Sequence, residues 1–150
     1  MPIEIRQEPL SSIVHEVSYL LKQHYLELTG NKDKVKLDPI WSRYAELEQT
    51  GKFYTFTVRD NGELVGYSGF ILDRHLHYRD LMVATNDVLF LREDLRLGIT
   101  GIRLIKFSEN RMKELGANKI TWHVKFSKDF RPILHRLGYL DEEVIVGKMF

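Results

Sequence analysis

The stretch from Leu89 to Glu109 holds residues whose types and spacing suit a phosphate ligand. An apolar strand pattern leads into a charged turn containing Arg96, Gly98 and Gly101, and a helix pattern follows. The first N–H groups of such a helix lack partners within the helix and carry the positive end of its dipole. Glycines allow left-handed backbone angles and close approach of a ligand, while Arg96 adds positive charge. The pattern predicts a phosphate socket, although a tight turn with a solvated arginine explains it equally well.

Asp87 and His123 are the candidates for accepting a proton. The two-residue period of a strand predicts that Asp87, Leu89 and Leu91 share one face. A carboxylate among apolar strand residues suits a base that works near neutral pH, and an aspartate that caps the backbone beside Asn86 is the alternative. His123 lies near the end of a later strand, where a neutral imidazole could accept a proton directly or through water, or simply pack.

Three further polar or aromatic side chains, His75, His77 and Tyr78, lie in the stretch between Asp73 and Asp80 that joins two strand patterns. The two histidines could bind a metal as neighbouring ligands on one face, but no third ligand has suggestive spacing. The sequence therefore predicts no metal site.

The elements that would position these residues follow from hydrophobic period and from turn residues. The first part of the chain predicts a strand from Ile3 to Glu8, a helix capped by Ser11 or Ser12 that ends at Gly30, and a helix from Asp38-Pro39 to Gly51. Next come strands from Phe53 to Val58 and from Leu64 to Leu72, joined by the turn Asp60-Asn61-Gly62, and a strand that begins near Met82. After the glycine turn the sequence predicts a helix to Gly116, a strand from Lys119 to Val124, a helix capped by Ser127 that ends at Gly138, and a strand from Val144 to Met149.

Composition sets limits on the function. The 150 residues predict one domain, and the absence of cysteine excludes disulfides, a thiolate nucleophile and cysteine-bound zinc. No signal peptide and no apolar run of ~20 residues is evident, so we expect a cytoplasmic protein without a membrane span. The net charge of +1 predicts no general attraction to nucleic acid. Any anion site must be local.

The order of the elements, together with two motifs, resembles the GNAT N-acetyltransferases, a family of acetyl-coenzyme A enzymes. Leu91 lies five residues before Arg96, as a Val-type residue precedes the R-x-x-G-x-G turn of that family. Gly101 stands at the second glycine position, whereas Ile99 occupies the first and Gly98 is displaced by one. The stretch from Leu137 to Tyr139 matches a second signature, L-G-F. The resemblance spans nearly the whole chain, which looks more like the small members found in bacteriophage genomes than like histone or aminoglycoside acetyltransferases.

This resemblance implies an α/β (α+β) fold with a mixed, twisted sheet of about six to seven strands and about four helices. The sheet would splay between the strand before the glycine turn and the strand after it, and acetyl-coenzyme A would lie in the split. Backbone groups of Leu89 and Leu91 would bond the pantetheine, and Ser127 falls where the family often has a cofactor-binding Asn. The pyrophosphate would lie on the N–H groups of Leu97, Gly98, Ile99, Thr100 and Gly101.

The implied activity is direct transfer of an acetyl group to a primary amine, with Asp87 or His123 as the base. His75, His77 and Tyr78 would border the pocket for the amine acceptor, and a homodimer stays open. The family often has a Tyr as general acid four residues before the L-G-F glycine, where this sequence has Leu134. The alternative is therefore a catalytically silent module that binds coenzyme A or a protein partner. The third possibility is a globular domain that only happens to resemble the GNAT proteins.

Overall fold

The computed structural model describes residues 2–28, 35–96 and 98–150. Five strands form one sheet in the order of the chain. They are β1 (Ile3–Gln7), β2 (Phe53–Asp60), β3 (Glu63–His75), β4 (Tyr78–Leu91) and β5 (Lys119–Thr121). Strands β1 to β4 pair antiparallel, and β5 runs parallel to β4. The helices are α1 (Val14–Leu28), α2 (Trp41–Gln49), α3 (Thr100–Glu114) and α4 (Arg131–Arg136). The mixed sheet and the four helices agree with expectation.

The sheet separates two apolar cores because its strands alternate side chains between two faces. In β2, Phe56 and Val58 point to one face, where they join Leu104 and Met112 of α3. Phe53 of β2 points to the other face. There it joins the core formed by α1 and α2, which contains Val17, Leu20, Tyr67 and Phe90 together with Trp41 and Tyr44 at its margin.

Two helix starts differ from the sequence prediction. Residues 10–12 form a 3-10 turn, in which the Ser12 hydroxyl donates to the Pro9 carbonyl instead of capping a helix. Helix α2 begins at Trp41 with Ile40 at its N-cap, so Asp38 does not cap it. In both places a short turn before the helix takes up the residues that were expected to start it. The apolar stripe of α1 is nevertheless buried as predicted at Val17 and Leu20.

The turn residues behave as their chemistry requires. Asn61 and Gly62 both have positive φ, at 51° and 85°, and this is the turn that joins two antiparallel strands most tightly. Gly138 has a φ of 94° and ends α4, where the Tyr139 N–H donates to the Leu134 carbonyl. The hairpin and the end of the last helix were thus predicted correctly.

The expectation of six to seven strands is wrong, since five strands are present in the described residues. Strand β5 ends at Thr121 rather than at Val124, and no strand forms over residues 144–149. The sequence of that last segment favours a strand, but a strand also needs a partner for its backbone groups. Strand β4 begins at Tyr78 rather than near Met82, because pairing of His75 with Tyr78 extends the β3–β4 hairpin.

A buried arginine fixes α1 to the sheet. Arg59 of β2 is 6% exposed and donates hydrogen bonds to Glu8 beside β1 and to Glu16 of α1, at 2.6–3.1 Å. Burial alone would raise the pKa of Glu8, but the hydrogen bonds from Arg59 and Thr57 hold it below its ordinary value. The hydrogen bond from Arg59 also lowers the pKa of Glu16. These three charges set the position of the helix that covers one face of the sheet.

Candidate functional site

Strands β4 and β5 separate after three paired residues. Val83, Ala84 and Thr85 pair with residues 119–121, and pairing ends there. Residues 88–91 of β4 remain bonded to β3 on one edge and have no strand partner on the other, within the described residues. This pairing leaves room for the expected split between the two strands, which stays a prediction. The split would lie along β4 toward the turn that leads into α3.

The N-terminus of α3 lies beyond the end of β4. Its first intrahelical hydrogen bond runs from Arg103 N to Ile99 O at 2.9 Å, so the N–H groups of Thr100, Gly101 and Ile102 have no intrahelical acceptor. Such a helix start favours an anion. Leu97, the first residue of the predicted phosphate loop, lies outside the described residues.

The two glycines of this turn have ordinary backbone angles and leave space beside the backbone. Neither Gly98 nor Gly101 has positive φ, so neither uses the left-handed angles that glycine allows. A Cβ atom added at Gly98 would meet nothing within 4 Å, and one added at Gly101 would meet only Leu91 Cδ2 at 3.8 Å. The fold itself therefore tolerates a side chain at both positions. The space that glycine leaves there faces outward, as a closely approaching ligand would require.

Arg96 is bonded inward. Its Nε donates to the Leu91 carbonyl at 2.6 Å, and its Nη2 forms an ion pair with Glu27 of α1 at 2.9 Å. The guanidinium carbon also lies 5.4 Å from the centre of the Phe90 ring. Arg96 thus braces the turn against β4 and α1, which was not foreseen from the sequence.

The same contact shows which backbone groups of β4 face the split. Because the Leu91 carbonyl points away from β3 toward Arg96, the two-residue period directs the N–H and C=O groups of Leu89 to the same open edge. The Leu91 carbonyl is already engaged, whereas Leu89 offers both of its groups. The side chains of Leu89 and Leu91 pack into the core on the α3 side.

Asp87 lies in a β-bulge and does not share a face with Leu89 and Leu91, so that prediction is wrong. Gly69 pairs with Val88 while its neighbour Phe70 pairs with Asn86, and Asp87 is the extra residue. Its Oδ2 accepts a 2.6 Å hydrogen bond from Tyr44 of α2, on the opposite face from α3. The carboxylate is exposed rather than enclosed by apolar side chains.

Glycine and asparagine hold the bulge in place. A Cβ atom at Gly69 would lie 2.8 Å from Phe53 Cζ and 3.1 Å from Val88 Cγ2, so a larger residue beside the bulge would displace the core side chains. The Asn86 side-chain amide donates to the carbonyls of Gly69 and Val88, at 3.2 and 2.8 Å. Gly69 thus lies at a bulge and at a close approach to Phe53, which are the features that a glycine inside a strand indicates.

His123 lies just beyond β5 and is exposed, so it is not part of the strand as expected. It borders a cleft of about 290 Å³ that lies over the paired residues of β4 and β5. The cleft is on the same face of the sheet as Asp87, because Val83 and Thr85 point to the face opposite Ala84. The other lining residues are His75, Tyr78, Leu81, Lys119, Thr121, Glu142 and Glu143.

Of the predicted acceptor residues, His75 and Tyr78 line this cleft and His77 does not. The His75 Nδ1 accepts a hydrogen bond from the His77 backbone N–H at 3.0 Å, so the two histidines form a turn contact. Among the described residues, no group of three or more His, Asp or Glu side chains could hold a metal ion, and no helix could cross a membrane.

The end of the chain corrects one more prediction. Ser127 lies exposed in a 3-10 turn and does not cap α4, whose N-cap is Phe130. Instead, Oδ1 of Asp129 accepts a 3.0 Å hydrogen bond from the backbone N–H of Arg131 in the first turn of α4. Leu134, at the position where the family often has a Tyr, is buried.

Sequence reasoning missed His24 of α1. Its ring lies 5.3 Å from Phe90 of β4 and 6.4 Å from Tyr67 of β3. Burial lowers its pKa, so the imidazole is neutral at pH 7. A histidine four residues after Leu20 on the apolar stripe was the available signal. It also missed Glu142 and Glu143 in the cleft, which no motif marks.

Comparison with solved structures identifies proteins that have the same fold. No family model and no curated protein matches the sequence. Among solved structures, a ribosomal-protein-alanine N-acetyltransferase from Brucella melitensis is similar over 100% of both chains, with 17% identity and a TM-score of 0.74. A predicted acetyltransferase from Clostridium acetobutylicum, solved with acetyl-CoA, covers 99% of this chain and 96% of its own at 14% identity, with a TM-score of 0.75.

A third match is a glucosamine-6-phosphate N-acetyltransferase from Arabidopsis thaliana, which covers 100% of this chain and 99% of its own at 14% identity, with a TM-score of 0.74. None of these supports the likeness to bacteriophage members, which stays a prediction. At such low identity the matches establish the fold alone. The chain has the α+β fold of GNAT acetyltransferases along its full length.

Proposed function

We propose that this protein is an N-acetyltransferase that moves an acetyl group from acetyl-coenzyme A to a primary amine. One observation carries the proposal: the pairing of β4 with β5 ends at Thr85, and β4 leads, with an open backbone edge, to the N–H groups of Thr100, Gly101 and Ile102, which have no acceptor within α3. A split of this kind suits a ligand with an amide-bearing arm and a pyrophosphate. Bound there, acetyl-coenzyme A would supply the acetyl thioester.

The residues present fit such a ligand. The N–H groups of Thr100, Gly101 and Ile102 would hold the pyrophosphate, and the space at Gly98 and Gly101 lets it approach the backbone. Ile99 is the N-cap residue of the same helix and is exposed. The helix dipole adds to the binding, whereas Arg96 contributes mainly by bracing the turn.

The pantetheine arm would lie along the open edge of β4. Leu89 offers an N–H and a C=O group, and Leu91 offers its N–H group, since Arg96 occupies its carbonyl. Ser127 is exposed beyond β5 and would contact the pantetheine arm of the ligand from the other side of the split.

Asp87 is the favoured base. It is exposed on the face of the sheet that carries the cleft, and Tyr44 orients its carboxylate. The amine nitrogen attacks the thioester carbonyl, its proton passes to Asp87 directly or through water, and the thiolate leaves and is protonated by solvent. His123 borders the cleft and is the second candidate. His75 and Tyr78 would contact the acceptor there, and His77 would act through His75.

The catalytically silent module is the second candidate function, and one observation favours it. The buried Leu134 side chain occupies the position of the general acid, so no side chain at that position can protonate the leaving thiolate. A protein of this kind would bind coenzyme A without acetylating an amine.

A thiol-release assay separates the two candidates. Acetyl-coenzyme A is incubated with the protein and a panel of amines that covers aminoglycosides, polyamines, amino sugars and peptide N-termini. Release of coenzyme A that depends on an amine, with an acetylated product of the correct mass, supports the enzyme. Binding of acetyl-coenzyme A without release by any amine supports the silent module.

A further inference from the structure

A cavity of about 30 Å³ lies between the sheet and the helices α1 and α2. Its floor includes Thr55 of β2 and Val88 of β4, which flank Gly69 in one row across β2, β3 and β4. Its roof is formed by largely apolar side chains of both helices. Because Val88 follows Asp87 in the chain, the cavity lies beside the bulge that carries this carboxylate.

Two hydroxyl groups of residues that line this cavity have no hydrogen-bond partner among the described residues. They are Thr55 Oγ1 and Tyr67 Oη. Thr55 is 3% exposed and Tyr67 is 2% exposed, so bulk solvent reaches neither group. A buried hydroxyl without a partner costs free energy, and valine and phenylalanine would fill the same positions without that cost. The two hydroxyls therefore indicate a polar occupant of the cavity.

Tyr44 of α2 also lines the cavity and supplies a third hydroxyl. Its hydrogen is donated to Oδ2 of Asp87 at 2.6 Å, so its oxygen can still accept a hydrogen bond. The Tyr67 hydroxyl lies within electrostatic reach of this pair, because Tyr44 and Asp87 add to the effect of burial in raising the pKa of Tyr67. The cavity thus brings two unpaired hydroxyls close to one that is bonded to the favoured base.

We infer that this cavity binds water, and that the water links the hydroxyls of Thr55 and Tyr67 to the oxygen of Tyr44. A water molecule needs about 10–15 Å³ of such space and roughly two to four polar partners, so the cavity takes about two. Water fits because each molecule both donates and accepts, as three hydroxyls require. An apolar occupant would leave the hydroxyls of Thr55 and Tyr67 unpaired.

The hydrogen bonds of this network run in one direction. Because the Tyr44 hydrogen is bonded to Asp87, a water can only donate to the Tyr44 oxygen, and that water can accept from Tyr67. Hydrogen bonds in series polarise one another, so the network strengthens the bond from Tyr44 to Asp87. Tyr67 is thereby a positioning residue for Asp87. Its effect on catalysis rests on the proposed function, whereas the hydration of the cavity does not.

Magnetic relaxation dispersion, which counts long-lived buried waters in solution, tests the hydration. Thr55→Val combined with Tyr67→Phe removes both unpaired hydroxyls and keeps the shape of the core, so about two long-lived waters should be lost. Tyr139→Phe is the matched control, because it removes a half-buried hydroxyl that is bonded to Glu109 on the α3 side of the sheet. It should lose none.

Circular dichroism checks that each variant is folded. If the double variant does not fold, Thr55→Val alone should lose about one water. A crystal structure of the wild type should place a water about 2.7–3.2 Å from the Tyr67 oxygen. An equal count of long-lived waters in the wild type and in the folded variants overturns the inference.

The link from Tyr67 to Asp87 is tested in the free protein without a substrate. Tyr67→Phe should move the carboxyl carbon resonance of Asp87 at neutral pH. In a Tyr44→Phe background the same change should leave that resonance in place, because the chain of hydrogen bonds is already broken. An equal movement in both backgrounds, or none in either, overturns the link.

Turnover tests the catalytic consequence. Tyr67→Phe should lower turnover roughly threefold and leave the KM for acetyl-coenzyme A unchanged, with an effect below about twofold in the Tyr44→Phe background. Tyr139→Phe should turn over as wild type does. If waters are lost and the resonance moves but no amine is ever acetylated, the proposed function fails and the hydrated network stands. Full turnover in Tyr67→Phe overturns the positioning role.

Discussion

The hydroxyl of Tyr44 donates a 2.6 Å hydrogen bond to Oδ2 of Asp87, and this contact ties α2 to the bulge in β4. The ring of Tyr44 packs edge-on against Phe53 at 5.0 Å and lies 5.9 Å from Trp41, so apolar packing sets where the hydroxyl lies. Burial, together with the bond to Asp87, raises the pKa of Tyr44, so the phenol stays protonated and remains a donor at neutral pH. The carboxylate is thereby held in one orientation beside the split.

If Asp87 is the base, Asp87→Asn should lower turnover by roughly 100-fold, the usual size of a general-base contribution. The amide retains an acceptor for Tyr44 but cannot take a proton at neutral pH, so the affinity for acetyl-coenzyme A should stay nearly the same. The measurement is steady-state thiol release with an amine found in the screen. His123→Gln is the comparison, and a 100-fold loss there with a normal Asp87→Asn transfers the role to His123.

Tyr44→Phe removes the hydroxyl and keeps the ring. Turnover should fall roughly tenfold because Asp87 loses the partner that orients it, while the melting temperature changes little. In a double-mutant cycle, adding Tyr44→Phe to Asp87→Asn should cost much less than it costs alone. Additive losses would mean that Tyr44 acts independently of Asp87.

The Arg59 cluster predicts the pH dependence of stability. Glu8 and Glu16 have pKa values lowered from the ordinary 4.5, so each contributes stability that is present above pH 4.5 and is lost as the pH falls through the lowered values. Urea unfolding at pH 7 and at pH 3.5, taken as about one unit below that value, should show the loss.

Arg59→Met removes the cation from the same cluster. The free energy of unfolding at pH 7 should drop by about 3 kcal/mol, since the half-buried Glu8 keeps its charge but loses its buried cation and retains only the Thr57 hydroxyl and the more exposed Arg6. Less stability should then be lost on acidification than in wild type. An unchanged pH dependence in the variant would show that these carboxylates do not govern acid unfolding.

A buried pair of hydroxyls joins α3 to the sheet. Ser108 Oγ lies 2.8 Å from Ser68 Oγ and donates to the Leu104 carbonyl, and both serines are fully buried. Ser108→Ala leaves the Ser68 hydroxyl without an acceptor, so unfolding should become easier by about 1–3 kcal/mol. Adding Ser68→Ala should recover part of that loss. Ser127→Ala, at an exposed serine, should have no effect in the same urea titration.

The sequence predicts correctly those elements that depend on residues close to one another in the chain. The stripe that includes Val17 and Leu20 gave α1, and the positive φ values of Asn61 and Gly62 are what their side chains favour. The absence of a side chain at Gly101 likewise leaves its backbone accessible, as the residue type predicts, although its φ is not positive. These signals lie within a few residues of the structure that they specify.

The remaining features depend on contacts between distant parts of the chain. Asp87 was assigned to the wrong face because a bulge adds one residue, and a two-residue period cannot register it. Arg96 turns inward because Glu27 of α1 lies beside it, and Asp87 meets Tyr44 from 43 positions away. The strand expected at Val144 has the right composition, but among the described residues it has no strand partner. Spacing along a sequence does not specify such partners.

Isothermal titration calorimetry with acetyl-coenzyme A tests the central claim, that the split and the start of α3 hold this ligand. Wild type should bind with a Kd on the order of micromolar, the usual range for such substrates. Gly101→Val should bind at least tenfold more weakly, or about 1.4 kcal/mol, because its side chain fills the space that the phosphates need. Asn110→Val places the same side chain on an exposed position of α3 and should bind as wild type does. No binding by wild type, or unchanged affinity in a folded Gly101→Val, would contradict the account.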